Sequence, residues 1–332
     1  MKKKILFVLA VIVLIVPQLV SAFEVTVQPR MKTGVMYYEY KQDAFQSPPR
    51  DANGLFPNTA SDLEYKDWLP FVGGGLSFFF NRFFIDLSIQ HAFNGSDSDK
   101  FRNSNFLTAG DFLPADSVLT TDTNQDADIK RTEGAISLGY RVTDNIALFS
   151  GWLWAKTKFD TDLKGDIATF QANNQVPIPF LSGTYKGDLD QELKYNGPFV
   201  GANLSMPIQI GFLEGALSGN ASLAFLDGEV DLDFDNVTIT NQLGITTEFD
   251  LQNAAESQGR GSFGDLDGDA VAIALGLSWT GLTPVEGLTY SVGAYGYRYD
   301  FDSDDNNDIP DFSETQVRFD VGIAYAFDFG DF

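Results

Sequence analysis

Cysteine is absent from the 332 residues, and histidine occurs once, at His91. The first absence excludes a disulfide framework, thiol catalysis and cysteine-ligated metal. The second leaves no imidazole pair for a metal and one candidate base for acid–base chemistry. Basic residues are scarce: 22 Lys and Arg stand against 46 Asp and Glu, for a net charge of −24. With no basic patch to neutralise phosphates, nucleic acid is not an expected partner. Long apolar runs are lacking too, with one exception. Lys2, Lys3 and Lys4, the apolar run Ile5 to Val16, the break at Pro17 and the small residues Ser21 and Ala22 read as a secretory signal peptide over residues 1–22. That run is too short for a helix crossing about 30 Å of hydrocarbon, which needs about 20 residues; a retained anchor is the alternative.

What the chain does have is aromatics, 30 Phe and 12 Tyr, at a mean hydropathy of only −0.09. The apolar residues sit on alternate positions between Gly, Ala, Ser and charged residues. Phe83, Ile85, Leu87 and Ile89 alternate with Phe84, Asp86, Ser88 and Gln90; Val271, Ile273, Leu275, Leu277 and Trp279 alternate with Ala270, Ala272, Ala274, Gly276 and Ser278. In hydrocarbon only helices and closed barrels satisfy every backbone group. The expected fold is therefore an all-β, transmembrane, antiparallel up-and-down barrel in a single domain over 23–332. About ten spans are expected, near 30–42, 67–80, 83–94, 130–142, 145–158, 191–206, 214–227, 269–280, 287–301 and 315 onward. Short turns at Asn81-Arg82, Thr143 to Asn145, near Pro207 and at Gly281 to Glu286 alternate with long polar connections at 43–66, 95–128, 160–190, 228–267 and 302–314. Two further alternating segments, Glu229 to Asp235 and Val237 to Leu251, carry many acids and read as strands extending beyond the membrane or a loop hairpin. If they cross, the barrel has twelve strands.

The last strand sets Val317, Phe319, Val321, Ile323, Tyr325 and Phe327 against Arg318, Asp320, Gly322, Ala324 and Ala326, and the chain ends in Phe332. The run Asp320 to Phe327 resembles the C-terminal β-signal of Gram-negative outer-membrane β-barrel proteins, a broad porin-like class; the tail Asp328 to Phe332 departs by following that signal. The resemblance implies location in the cell outer membrane, contact with its lipid and lipopolysaccharide, and recognition by the barrel-assembly machinery. As the last strand of a closed barrel it is expected to pair with the first, near 30–42.

The expected inward set is Lys32, Asp86, Gln90, Glu133, Arg141, Arg318 and Asp320. Charges there are tolerated if paired or wet, so they either plug the interior or line a narrow channel for a small solute. Tyr295, Tyr297, Tyr299 and Phe301 form an aromatic row that faces the lumen or, if a bulge near Gly293 or Gly296 switches the phase, joins the outer aromatic girdle; the girdle is the favoured placement. His91 has no neighbouring Ser or Asp in a recognisable motif. The expected function is thus a non-enzymatic, narrow porin-like channel for small solutes, with a structural or surface-binding, adhesin-like barrel with a plugged lumen as the alternative and an omptin-like or lipid-modifying enzyme less expected than either. Calcium takes 6–8 hard oxygens. Three acid-rich loops are candidates for Ca²⁺: Asp122, Asn124 and Asp126, with Ala127 where an EF-hand-like loop needs Gly; Asp265, Asp267 and Asp269; and Asp302, Asp304, Asn306 and Asp308, which resemble thrombospondin-type repeats. Solvated, uncomplexed loops are the alternative.

Overall fold

The computed structural model describes residues 25–42, 63–107, 117–171, 176–177, 182–210, 213–234, 237–249, 265–303 and 312–329. Among them there is no helix. Ten long strands form one closed antiparallel barrel: β1 (Val25–Gln42), β2 (Leu63–Phe80), β3 (Phe83–Leu107), β4 (Ser117–Arg141), β5 (Ile146–Gln171), β7 (Gly183–Ile210), β8 (Leu213–Phe234), β11 (Asp265–Leu282), β12 (Leu288–Ser303) and β13 (Phe312–Tyr325). Each pairs with its neighbour in chain order, and β13 returns to β1 through Arg30↔Ala324 to Gln42↔Phe312. Short strands complete the sheet: β6 (Val176–Pro177) on β5, the hairpin β9 (Val237–Asn241) and β10 (Thr246–Phe249) on β7, and β14 (Phe327–Phe329) on Val25–Val27. The signal-peptide region and Phe332 lie outside the described residues.

The strands form because alternate positions meet different solvents. Outward side chains make a continuous apolar belt, with Leu275 60 % and Ile323 57 % exposed. A belt of that extent is far larger than the apolar patches of soluble monomers and suits hydrocarbon. Tyr37, Trp68 and Phe319 stack along one edge of it, with ring centroids 5.5 and 6.4 Å apart. Trp152 and Trp154 continue this girdle on β5.

The two ends of the barrel differ. At one rim the turns are tight. Asn81 turns at φ 55°, Thr143 Oγ1 accepts from the amides of Asn145 and Ile146, and Gly287 sits at φ 78°, where a side chain would be strained. Pro207 lies inside β7 opposite Ala216, so that turn falls later than the sequence indicates. At the other rim, much of the sequence assigned to long connections is strand. The acid-rich stretches 95–107, 117–128, 160–171 and 183–190 continue β3, β4, β5 and β7, because small or apolar residues such as Ala127, Ile129 and Leu163 still alternate with the acids and turn inward. The wall is consequently uneven: β7 has 28 residues and β13 has 14. Glu229 to Phe234 extends β8, and 237–249 forms the β9–β10 hairpin beyond the belt, so the barrel has ten strands, not twelve.

One seam interrupts this wall. The β2–β3 ladder ends at Phe71↔Ala92, and the β3–β4 register shifts between Ala92 and Gly95. Above it two aspartates replace the ladder: the Lys66 amide donates to Asp97 Oδ2 (2.7 Å) and the Ser96 amide to Asp67 Oδ2 (2.8 Å). Pro70 brings no N–H to the gap. Gly95 allows the approach, since a Cβ there would meet Leu69 Cδ2 at 2.1 Å. Replacing Asp97 with Ala is expected to weaken the seam by about 1 kcal/mol, the net worth of one hydrogen bond. Amide exchange should accelerate at Lys66 and Ser96 and stay unchanged at Gly73 to Ser77, as read by hydrogen–deuterium exchange.

Candidate functional site: the lumen and its plug

Inward side chains divide the lumen into two halves. From Met36, Phe71, Gln90, Glu133, Ala155, Ala224, Ala272, Tyr299 and Arg318 toward the tall rim they are buried; toward the short-turn rim most are only partly covered. The transition falls at a similar level on most of the ten strands, so one half is a packed plug and the other an accessible vestibule.

The plug is held by charge. Arg131 is 2 % exposed, and its Nη1 donates to Thr157 Oγ1 (2.5 Å) and to Glu314 Oε2. Its Nε lies 3.3 Å from Glu133 Oε2, and Gln316 turns its amide oxygen toward Nε and Nη2. Arg318 Nη2 sits 2.6 Å from the other Glu133 oxygen, with its guanidinium 3.7 Å from the Tyr297 ring centroid. Two arginines and two glutamates thus bridge β4 to β13 with no net charge. Tyr195 Oη donates to Glu314 Oε1 (3.2 Å), which ties in β7. Above this layer Tyr38, Tyr40, Tyr65, Phe159, Phe301 and Phe312 pack ring to ring, with Tyr40 5.1 Å from Phe159 and Phe301 4.4 Å from Phe312. Gln191 Nε2 donates to Tyr40 Oη, so the buried hydroxyl is satisfied.

In the vestibule Arg30 grips Asp86 with both nitrogens (2.5 and 2.6 Å), and Ser77 Oγ donates to the same carboxylate (2.6 Å). Lys32 Nζ lies 3.9 Å from Asp320 Oδ2. Arg141 shares this inward phase but is exposed at the strand end, over the Phe79 ring at 5.0 Å.

The inward set read from the sequence therefore shares one lumen, with Glu133 and Arg318 in the plug, Lys32, Gln90 and Asp320 beneath it, Asp86 lower and Arg141 at the rim. The aromatic row is a correction: Tyr299 is 1 % and Phe301 3 % exposed, so the row faces in, and no bulge switches β12, whose register with β13 runs unbroken from Leu288 to Phe301. Arg30, Arg131, Glu314 and Gln316 were not singled out from the sequence. Stepping two residues back from Glu133, and two and then four back from Arg318, along the strand phase reaches the last three. His91 is on the lipid-facing side, its Nδ1 2.8 Å from Thr132 Oγ1 and its ring edge-on to Phe93.

The acid-rich candidates for Ca²⁺ are distributed differently from a loop. Asp122, Asn124 and Asp126 lie along β4, Asp265, Asp267 and Asp269 along β11, and Asp302 in β12 opposite Asp269; Asp304, Asn306 and Asp308 lie outside the described residues. Alternate residues of a strand stand about 7 Å apart, and among the described residues no group of three metal-ligating side chains converges. The outer face of the tall wall is instead a charge ladder. Lys130 and Lys158 hold Asp160 at 2.8 and 2.6 Å, Lys158 reaches Asp190 at 3.2 Å, and Lys194 binds Glu229 at 3.1 Å and also Asp231.

Two outcomes follow from these contacts. Arg131→Met strands Glu314 without its cation and is expected to cost about 3–5 kcal/mol, read as an earlier midpoint in urea unfolding of the refolded protein. On the wall, burial raises the Asp160 carboxyl, but the hydrogen bonds from Lys130 and Lys158 outweigh it and hold the group below the usual carboxylate range. A depressed carboxyl stabilises at neutral pH, and the contribution is lost as pH falls through the usual carboxylate range and below. Proteolysis within 155–165 should therefore rise on acidification in the parent and change less in Asp160→Asn.

No protein-family model and no curated protein matches the chain. Solved structures do. The outer membrane protease OmpT from Escherichia coli superposes with a TM-score of 0.52 at 9 % identity, over 91 % of this chain and 97 % of that one. A Pseudomonas aeruginosa FadL homologue gives 0.28 at 11 % identity over 91 % and 90 %, and the P. putida toluene transporter TodX gives 0.24 at 9 % over 94 % and 91 %. At these identities the likeness is one of fold. The ten-strand closure, the lipid-facing belt, the short-turn rim and the likeness to OmpT give this chain the fold of an outer-membrane β-barrel.

Proposed function

We propose that the chain is a non-enzymatic barrel of the outer membrane that is closed to through-passage and presents its tall acidic wall to the outside. The observation that supports this reading above the narrow-channel one is the plug. Met36, Tyr38, Tyr40, Leu69, Phe159 and Glu314 are each fully buried inside the barrel, and the arginine–glutamate quartet crosses the lumen beneath the aromatic cluster. Barrels of about eight strands are filled by side chains, whereas aqueous channels belong to those of about 16; ten strands with this many large inward residues follow the filled pattern. In this orientation the short-turn rim and both chain ends face the periplasm. Lys130, Lys156, Lys158 and Lys194 stand just beyond Trp152 and Trp154, each paired with an acid of the ladder, so lipopolysaccharide, the lipid partner this reading implies, would meet a wall of paired charge. The strand Asp320 to Phe327 suits the barrel-assembly machinery.

Against an enzyme stands the position of His91, which faces the bilayer and has a threonine, not a carboxylate, on its ring nitrogen. The deciding measurement is planar-bilayer conductance of refolded protein. Steady silence is expected across the voltage range. Discrete openings in the parent, abolished by enlarging Ala155 or Ala272 at the plug, would overturn the closed-barrel reading in favour of a channel.

A further inference from the structure

Beneath the plug the vestibule has a composition unlike the rest of the molecule. From the roof down, inward positions are Gly73, Gly75 and Ser77 on β2, Ala135 and Ser137 on β4, Phe149 and Gly151 on β5, Phe199, Gly201, Asn203 and Ser205 on β7, Ser218, Asn220 and Ser222 on β8, and Ala274, Gly276 and Ser278 on β11. Leu153 in the roof and Leu282 at the rim are the branched aliphatic residues of this phase. Phe79, Phe84, Phe149 and Phe199 add aromatic faces to this phase, so the vestibule combines aromatic surface with polar groups, and its charges are balanced, Arg30 and Lys32 against Asp86 and Asp320.

The roof holds the telling groups. Asp320 has a side chain only 5 % exposed, yet its carboxylate accepts no hydrogen bond among the described residues and has Lys32 as an ion partner at 3.9 Å. Gln90 is 7 % exposed, and its amide likewise has no partner among the described residues. The polar atoms of Asp320, Gln90 and Lys32 are not among the sealed atoms without a partner, which here include those of Arg318 and Tyr38; the carboxylate, amide and ammonium at the roof therefore open to the vestibule and are free to meet what enters it. Beside them Tyr295 lies flat on the wall. A Cβ at Gly276 would come within 2.4 Å of its ring and one at Gly293 within 2.5 Å, while Asn220 Oδ1 adjoins Gly276. The ring shows one face to the lumen, and Lys32 Nζ stands over it at 6.0 Å from the centroid, so ring and ammonium share one side of the vestibule.

We propose that this vestibule is a binding site for a neutral, polyhydroxylated ligand, a sugar unit entering from the short-turn rim. Vicinal hydroxyls donate to Asp320 and accept from Lys32 and Gln90, the sugar's C–H face lies beside Lys32 on Tyr295, and Asn220, next to that ring across Gly276, serves a further hydroxyl. A free cationic ligand would be repelled by Lys32 and Arg30, and a free anion by Asp320 and Asp86. The site rests on the closed-barrel reading only in having a roof. If the barrel conducts, the conductance experiment shows it, while the titration below still reports on the sugar site.

The test is calorimetric titration of the whole refolded protein in an amine-oxide detergent, which has no sugar headgroup, with diacetylchitobiose and with a longer chito-oligosaccharide as probes. Saturable binding at millimolar sugar is expected. It should be lost in Asp320→Ala and weakened about tenfold, one lost hydrogen-bonding group, in Gln90→Ala. Tighter binding of the longer probe indicates the end of a glycan strand, and equal binding a free sugar. Should Asp320→Ala fail to fold, Lys32→Met together with Gln90→Ala decides. No saturation with either probe, or saturation that these variants leave unchanged, overturns the proposal.

Discussion

The pairing of β1 with β13 is the constraint on which the rest of this molecule depends. In hydrocarbon an unpaired strand edge leaves a row of amides and carbonyls with no partner, each at a cost of several kcal/mol. Thirteen registered positions between Arg30 and Gln42 remove that edge. Closure then dictates the two environments. Once the sheet meets itself, every residue is either lipid-facing or inside, and the period-two alternation of the sequence acquires its meaning. It also brings Lys32 beside Asp320 and Arg131 beside Glu314, residues far apart in the chain.

Within the closed sheet, volume decides what each half of the lumen becomes. Toward the tall rim the inward positions carry Tyr, Phe, Met, Leu and Arg, enough to fill the cross-section. Arginine is suited to that place because its planar fork meets Glu133, Glu314 and Gln316 at once and its face stacks on tyrosine. Toward the short-turn rim the same strands carry Gly, Ala and Ser, and water or ligand must complete the packing. The plug is therefore a structural layer set between the tall acidic wall and the cup at the short-turn rim.

Much of this was legible in the sequence. The alternation of Val35 and Tyr37 with Lys32 and Gly34 gave the phase of β1, and the pattern from Val317 to Phe327 gave both the last strand and its partner. What escaped was the length of the strands beyond the membrane. A strand in water needs no apolar face, so Asp126, Asp128, Asp160 and Asp162 obscured the inward alternation of Ala127, Ile129 and Leu163. The tyrosine row was misplaced for a related reason: glycines at 293 and 296 look like breaks in a one-dimensional pattern, whereas in three dimensions Gly293 makes room for Tyr295. Glu314 and Arg131 sat at the edges of expected strands, where a charge reads as the beginning of a loop. Their attraction across the lumen is a property of closure and has no local trace.

The unequal wall has one more consequence. A barrel with a level rim looks the same from every direction in the plane of the membrane. Here the long strands β3, β4, β5, β7 and β8 are consecutive around the cylinder, and the shorter ones occupy the remaining arc. The molecule thus has a back and a front, a charged screen on one flank and a low sill on the other. For anything diffusing laterally toward it, rotation about the barrel axis becomes a coordinate that matters, and neighbours in the same membrane will meet two different proteins depending on the side from which they come.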